Sequence, residues 1–197
     1  MDNYIHNMDN SNKLLLFLGK NTSKAFSMNE VSKLLNIPYA TFHRIVSKLK
    51  DLLTSEVVGQ TKLITINKEK DTIIAHLTIA SDEEKQEFLK SQVQINQLSK
   101  EINTNDVVLL FGSYAKGTQT KNSDIDLLII NTRGDRTVSF SKYELIFNKK
   151  INPIFITKKE FKLMLSDKEE NVGKQALKNH IILNNPQKFW EVTINAL

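Results

Sequence analysis

The chain has 197 residues, the length of one medium domain or two small ones. Its 40% hydrophobic and 25% charged residues, with only 6 Gly and 3 Pro, exclude a disordered, collagen-like or linker-dominated chain, and the absence of Cys excludes disulfide scaffolds, thiolate zinc sites and cysteine nucleophiles. The net charge of +5 is uneven: residues 13–68 hold nine Lys and Arg against three acids, which suits phosphate backbones or a solvated basic surface.

The longest early apolar run, Leu14 to Leu18, is too short to span a bilayer, and the acidic Asp2 and Asp9 precede it. No signal peptide and no membrane segment is expected, so the chain reads as soluble and cytoplasmic. Ser11 and Asn12 are expected to cap a first helix through Leu14, Leu15, Phe17 and Leu18, with Gly19 near its end. A second helix is predicted over Met28 to Leu35, with Ser27 as N-cap and Glu30 as its capping-box partner. Asn36-Ile37-Pro38 ends it, because the residue before proline is pushed out of the α region. A third helix is predicted from Tyr39 to Leu53, with Phe42, Ile45, Val46, Leu49, Leu52 and Leu53 on one face. Glu56-Val57-Val58 and Lys62 to Ile66 then read as two strands around the turn Gly59-Gln60-Thr61.

This element order resembles the winged helix-turn-helix family, whose third helix enters the major groove and whose hairpin forms the wing. The resemblance implies double-stranded DNA as a partner. The residues left off the apolar face of the third helix would contact it: Thr41, His43, Arg44, Ser47 and Lys48. The same order also serves helical domains that bind protein. A reader of palindromic DNA would be a homodimer, although no heptad or apolar stripe in the sequence requires one.

Residues 69–104 read as connecting helices. Ser81 with Glu84 forms a second capping-box pattern, and Asp82 to Glu87 reads as a solvated, charge-dense face. Phe88, Leu89, Val93, Ile95, Leu98 and Ile102 supply helix-period apolar positions. The expected organisation is a domain over residues 1–80, a connecting helix over 81–104 and a second domain over 105–197.

The stretch that carries chemistry begins at Val107-Val108-Leu109-Leu110-Phe111-Gly112-Ser113-Tyr114-Ala115-Lys116-Gly117 and continues to Asn122-Ser123-Asp124-Ile125-Asp126-Leu127-Leu128-Ile129-Ile130. A buried-type strand ends at Gly-Ser, ten residues intervene, and two aspartates then stand at i and i+2 where a second apolar strand begins. Side chains at i and i+2 share a face, so both carboxylates converge while Ile125 and Leu127 face the core. Two such carboxylates repel unless a cation lies between them, and a hard divalent ion such as Mg²⁺ suits oxygen ligands beside phosphates. Gly112 lets the backbone approach a phosphate, and Ser113 adds a hydroxyl and an amide at the start of a helix.

Gly-Ser, ten residues, Asp-x-Asp resembles the motif of the polymerase-β-type nucleotidyltransferase superfamily, particularly its minimal members, over about residues 105–160. The resemblance implies that Asp124 and Asp126 hold Mg²⁺ or Mn²⁺ and are catalytic. It also implies that Gly112 and Ser113 hold the phosphates of an NTP, with ATP the expected substrate. Lys116 and Lys121 lie in the motif loop, either adding charge to the phosphates or standing as solvated lysines. The family supplies a third carboxylate from the next strand of the sheet. Here Thr137 to Lys150 reads as a helix, Ile151 to Ile156 as that strand, and the aligned position is Asn152, which can offer a carbonyl oxygen but cannot accept a proton. Glu144 is the nearest other acid, on the helix and expected to face solvent.

Residues 158–197 read as a helix at Phe161 to Leu165, a segment from Val172 to His180, an edge strand at Ile181-Ile182-Leu183 and a last helix opened by Pro186. His180 reads as structural, and His6, His43 and His76 lack metal-ligand spacing, so no zinc site is expected. The expected fold is α/β (α+β), a winged helix-turn-helix followed by a nucleotidyltransferase mixed sheet flanked by helices. Three functions fit it. The first is transfer of an NMP from an NTP to an acceptor hydroxyl on a protein, a nucleic acid or a small molecule. The second is a DNA-binding regulator whose degenerate site binds nucleotide without turnover. The third is an antitoxin-type module that docks on a toxin.

Overall fold

The structure, a computed structural model, describes residues 7–196; Asp2 and His6 lie outside them. Helix α1 spans Asn10–Lys20. Its cap is Asp9, whose carboxylate accepts from Ser11 N at 2.8 Å and Asn12 N at 3.4 Å, so the helix begins before the expected Ser11 and Asn12. A carboxylate there meets both orphan N–H groups and the positive end of the helix dipole. A two-residue strand, β1 (Phe26–Ser27), precedes α2 (Met28–Leu34). Ser27 Oγ caps α2 by accepting from Glu30 N at 3.1 Å, while the Glu30 carboxylate pairs with Lys24 at 3.1 Å. Asn36 then takes the left-handed conformation (φ 53°) and turns the chain into α3 (Tyr39–Lys48).

Helix α3 stops at Lys48 rather than Leu53. Leu52 N bonds Leu49 O and Leu52 O accepts from Asn67 N, both at 2.9 Å, so the backbone leaves the helix to pair while Leu49, Leu52 and Leu53 stay buried. Strand β2 (Leu53–Val58) pairs antiparallel with β3 (Thr61–Ile66), from Leu53↔Ile66 to Val58↔Thr61. The tight turn between them is opened by Gly59 at φ +60°. Strand β1 adds to the other edge of β3, giving the order β1-β3-β2.

Helix α4 (Ile73–Ser91) runs uninterrupted through residue 80, where the domain boundary was expected. Ser81 and Glu84 are therefore mid-helix and form no capping box. Ser81 Oγ accepts from Trp190 Nε1 at 2.8 Å, and Glu84 pairs with Lys20 of α1 at 2.6 Å. The charge-dense stretch is only partly solvated: Glu84 is buried, and Lys85 donates to Leu183 O at 2.7 Å. Helix α5 (Val93–Lys100) follows.

The second sheet is mixed, in the order β6-β5-β4-β7. It comprises β4 (Val107–Phe111), β5 (Ile125–Asn131), β6 (Ile151–Thr157) and β7 (Ile181–Asn184). Strands β5 and β6 are parallel; β4 is antiparallel to both β5 and β7. Between strands lie the short α6 (Gly112–Ala115) and α7 (Ser141–Phe147), the latter half the expected length. Helices α8 (Lys158–Ser166) and α9 (Val172–Lys178) precede β7, and α10 (Pro186–Ile194) opens with proline at its first turn as expected. Alternate residues of β4 face opposite cores. Val108 and Leu110 pack with Phe88, Ile95, Leu98, Tyr114 and Tyr143, whereas Val107 and Leu109 join a core containing Phe161, Phe189 and Trp190. That second core continues through Leu77 and Ala80 to Leu14, Phe42 and Ile64, so α4 carries one apolar interior from the first sheet to the second. The fold is the expected mixed α/β arrangement. Among the described residues no helix is long and apolar enough to cross a membrane.

Candidate functional site

Strand β4 delivers Gly112 to the sheet's end with φ +70°, a conformation that L side chains rarely adopt. A Cβ at this position would also overlap Asp126 Oδ2 and lie 3.2 Å from Asp126 Cγ. Glycine is thus required twice, by the backbone and by the carboxylate beside it. Ser113 follows, half-buried in the first turn of α6.

Register does the rest. Asp126 lies opposite Phe111 in the β4–β5 ladder and beside Asn152 in the β5–β6 ladder. Asp124 stands just before β5 and on the same side, as the i, i+2 spacing predicts. Asn152 Nδ2 donates to Asp124 Oδ2 and to Asp126 Oδ1, each at 3.2 Å. One amide group thus bridges the two carboxylates and places partial positive charge where their repulsion is greatest. Asn152 thus stands on the neighbouring strand within hydrogen-bond reach of both aspartates.

Two carboxylates, with a carboxamide whose carbonyl oxygen is brought round by a half-turn of its side chain, form an all-oxygen donor set that fits a hard divalent cation. Among the described residues no group of three or more His, Asp or Glu side chains is placed to hold a metal. His43 and His76 are exposed on α3 and α4. His180 is buried, its Nδ1 shared between Ala176 O at 2.8 Å and Leu177 O at 3.0 Å. Burial first, and then the charge of Lys20, hold its pKa well below the ordinary value, so it stays neutral.

Glu144 does not simply face solvent. It is half-buried, and its carboxylate accepts from Ile151 N at 3.0 Å, tying α7 to the start of β6. Lys116 and Lys121 are exposed. Lys149 also belongs to the site, although its place was not read from the sequence: Nζ donates to Lys121 O at 2.9 Å and Ser123 O at 3.4 Å and lies 5.6 Å from the Tyr114 ring centroid. It braces the motif loop from the segment just ahead of the strand that carries Asn152. The only signal was a basic pair, Lys149-Lys150, ahead of that strand. A cavity of about 400 Å³ adjoins the far end of α6, lined by Lys13, Lys20, Glu84, Lys116 and Lys178 among others. Asp124, Asp126 and Asn152 do not line it, and the chemistry of the carboxylate pair outweighs cavity size in locating the site.

On α3, Thr41 is half-buried and His43, Arg44, Ser47 and Lys48 are exposed on one face. Arg44 Nη2 donates to Thr41 Oγ1 at 3.4 Å, and Ser47 Oγ to His43 O at 2.9 Å. The structure brings these residues together on α3.

Residues 93–184, from α5 to β7, match the family model described as nucleotidyltransferase domain. The matched stretch contains Gly112, Ser113, Asp124, Asp126, Lys149 and Asn152 and begins after α4. No curated protein and no solved structure matches the chain.

Proposed function

We propose that the nucleotidyltransferase domain at residues 93–184 transfers a nucleoside monophosphate from an NTP, with ATP the expected donor, to an acceptor oxygen. The observation that carries the reading is the convergence of the Gly112-Ser113 turn with Asp124 and Asp126 across two adjacent strands. Gly112 brings the backbone amides close to the outer phosphates, Ser113 adds its hydroxyl, and Lys116 supplies charge one turn further on. Asp124, Asp126 and the Asn152 carbonyl would hold Mg²⁺ or Mn²⁺, which when bound neutralises phosphate charge and orients the α-phosphate. The test is transfer of label from α-³²P-ATP, then from the other NTPs, in a lysate of the native host with Mg²⁺ or Mn²⁺. A labelled product made by the wild type and missing with Asp124→Asn supports transfer. Equal labelling by both proteins, or none by either, overturns it.

A second reading has its own support. The helix–strand–helix–helix–hairpin order of residues 10–66 suits a winged helix-turn-helix, and its exposed α3 residues suit double-stranded DNA. Under this reading the chain is a DNA-binding regulator, and Asn152, already bonded to both aspartates, marks a site that binds nucleotide without turnover. Nucleotide would then shift DNA affinity. Duplex binding that is indifferent to saturating ATP with Mg²⁺ would remove the coupling.

A further inference from the structure

A hydroxyl that attacks the α-phosphorus of an NTP must lose its proton, and a side-chain base that takes it is worth about 10²–10⁴ in rate. Among the described residues no such base stands beside Asp124 and Asp126. The neighbour of Asp126 on β6 is Asn152, a carboxamide that takes no proton at neutral pH and donates to both carboxylates. Glu144, the last acid before β6 in the chain, is engaged by Ile151 N–H, and Glu160, the first acid after it, by Thr157 N–H. Of the described histidines, His43 lies on α3, His76 on α4, and His180 is buried with Nδ1 against two carbonyls.

Cations are plentiful instead. Lys149 Nζ holds the carbonyls of Lys121 and Ser123, and Lys150 O accepts from Ile125 N at 2.9 Å, which sets the backbone of these three lysines beside Asp124 and the start of β6. A site with lysines and no base suits a nucleophile that arrives ionised and anionic.

We propose that the acceptor is a phosphate monoester, an inference that rests on the nucleotidyl-transfer reading. With a second pKa of about 6, such a group is mostly dianionic at neutral pH. One oxyanion attacks while the remaining charge meets the lysines. A lone pair on the acceptor's phosphate oxygen forms a bond to the α-phosphorus. The bond from the α-phosphorus to the bridging oxygen breaks, and pyrophosphate leaves with that electron pair. The product joins acceptor and NMP through a P–O–P anhydride, and no proton passes to the protein.

The test gives the full-length protein α-³²P-ATP, Mg²⁺ and acceptors in matched pairs. These are glycerol and glycerol 3-phosphate, a nucleoside and its 5′-monophosphate, and a DNA strand with 5′-hydroxyl or 5′-phosphate, with acetate as a carboxylate arm. The wild type is expected to label a phosphorylated member and leave its hydroxyl partner unlabelled. The member labelled distinguishes a small metabolite from a nucleic-acid end. The product should show ³¹P–³¹P coupling across a new P–O–P link, and so should any acceptor labelled in lysate. Asn152→Asp, which restores a carboxylate, is expected to raise labelling of the hydroxyl members about 10²-fold or more; the wild-type comparison decides the matter even if that variant does not fold. Wild-type labelling of a hydroxyl or of acetate in preference to phosphate, or a product without the coupling, overturns the inference and leaves nucleotidyl transfer standing. No product from either protein with any acceptor or lysate overturns both.

Discussion

Replacing Gly112 by alanine tests the geometry on which the site depends, and Gly59→Ala supplies the control. Both glycines have positive φ, +70° and +60°, but a Cβ at Gly59 meets nothing within 4 Å, whereas one at Gly112 overlaps the Asp126 carboxylate. A left-handed alanine costs about 1–2 kcal/mol, of which roughly 0.4–1 kcal/mol is offset by the stiffer unfolded chain. Gly59→Ala should therefore lose about 1 kcal/mol. At Gly112 the Asp126 side chain must also leave its rotamer, about 0.5–1.5 kcal/mol, and its bond to the Asn152 amide, about 1.5–3 kcal/mol for a charged acceptor. Gly112→Ala should thus cost about 2–4 kcal/mol more than Gly59→Ala. Urea unfolding followed by the fluorescence of Trp190, the sole tryptophan and fully buried, measures both. ATP binding should weaken at least tenfold in Gly112→Ala and stay unchanged in Gly59→Ala. Equal stability losses, or intact ATP binding in Gly112→Ala, would refute the close approach of turn and carboxylate.

Lys20 and Glu84 form an ion pair with both side chains largely buried, and Lys20 also donates to His180 O at 2.9 Å. Lys20→Met should cost about 3–5 kcal/mol in urea unfolding, and adding Glu84→Met should recover most of it, because an unpaired buried charge is worse than none. The neutral, buried His180 makes the protein acid-sensitive. Its folded-state pKa is depressed, so below its ordinary value of 6.5 only the unfolded chain takes up the proton. Stability should fall toward acid by as much as about 1.4 kcal/mol per pH unit, and His180→Gln should flatten that slope between pH 5 and 7.5. On duplex DNA, Arg44→Ala and Lys48→Ala should each weaken binding and reduce the slope of log K against log salt by about one; unchanged slopes would take α3 off the DNA.

The parts of the site fixed by local pattern were legible in the sequence. Gly112, Asp124 and Asp126 declare themselves because a strand end and an i, i+2 pair encode direction directly. Asn152 was singled out by the family resemblance, and the parallel register of β5 and β6 sets it beside Asp126. What the sequence hid depends on tertiary partners. The serine and glutamate at 81 and 84 mimic a capping box, yet they bond Trp190 and Lys20, residues remote in the chain. Leu49, Leu52 and Leu53 keep helical spacing while the backbone turns, because each reaches the core by another route. Strand β1 is two residues long, too short to show alternation, and exists because β3 has an edge to pair. Lys149 acts through carbonyl oxygens, which no side-chain pattern reports.

The most direct measurement of the central claim is calorimetric binding of ATP to the full-length protein at fixed Mg²⁺. The wild type is compared with Asp124→Asn/Asp126→Asn, which keeps side-chain shape and removes both charges. The account predicts saturable, Mg²⁺-dependent binding by the wild type and at least a tenfold loss in the double variant. Equal affinity in the two proteins, or wild-type binding indifferent to Mg²⁺, would contradict a nucleotide site built on the Gly112-Ser113 turn and the two aspartates.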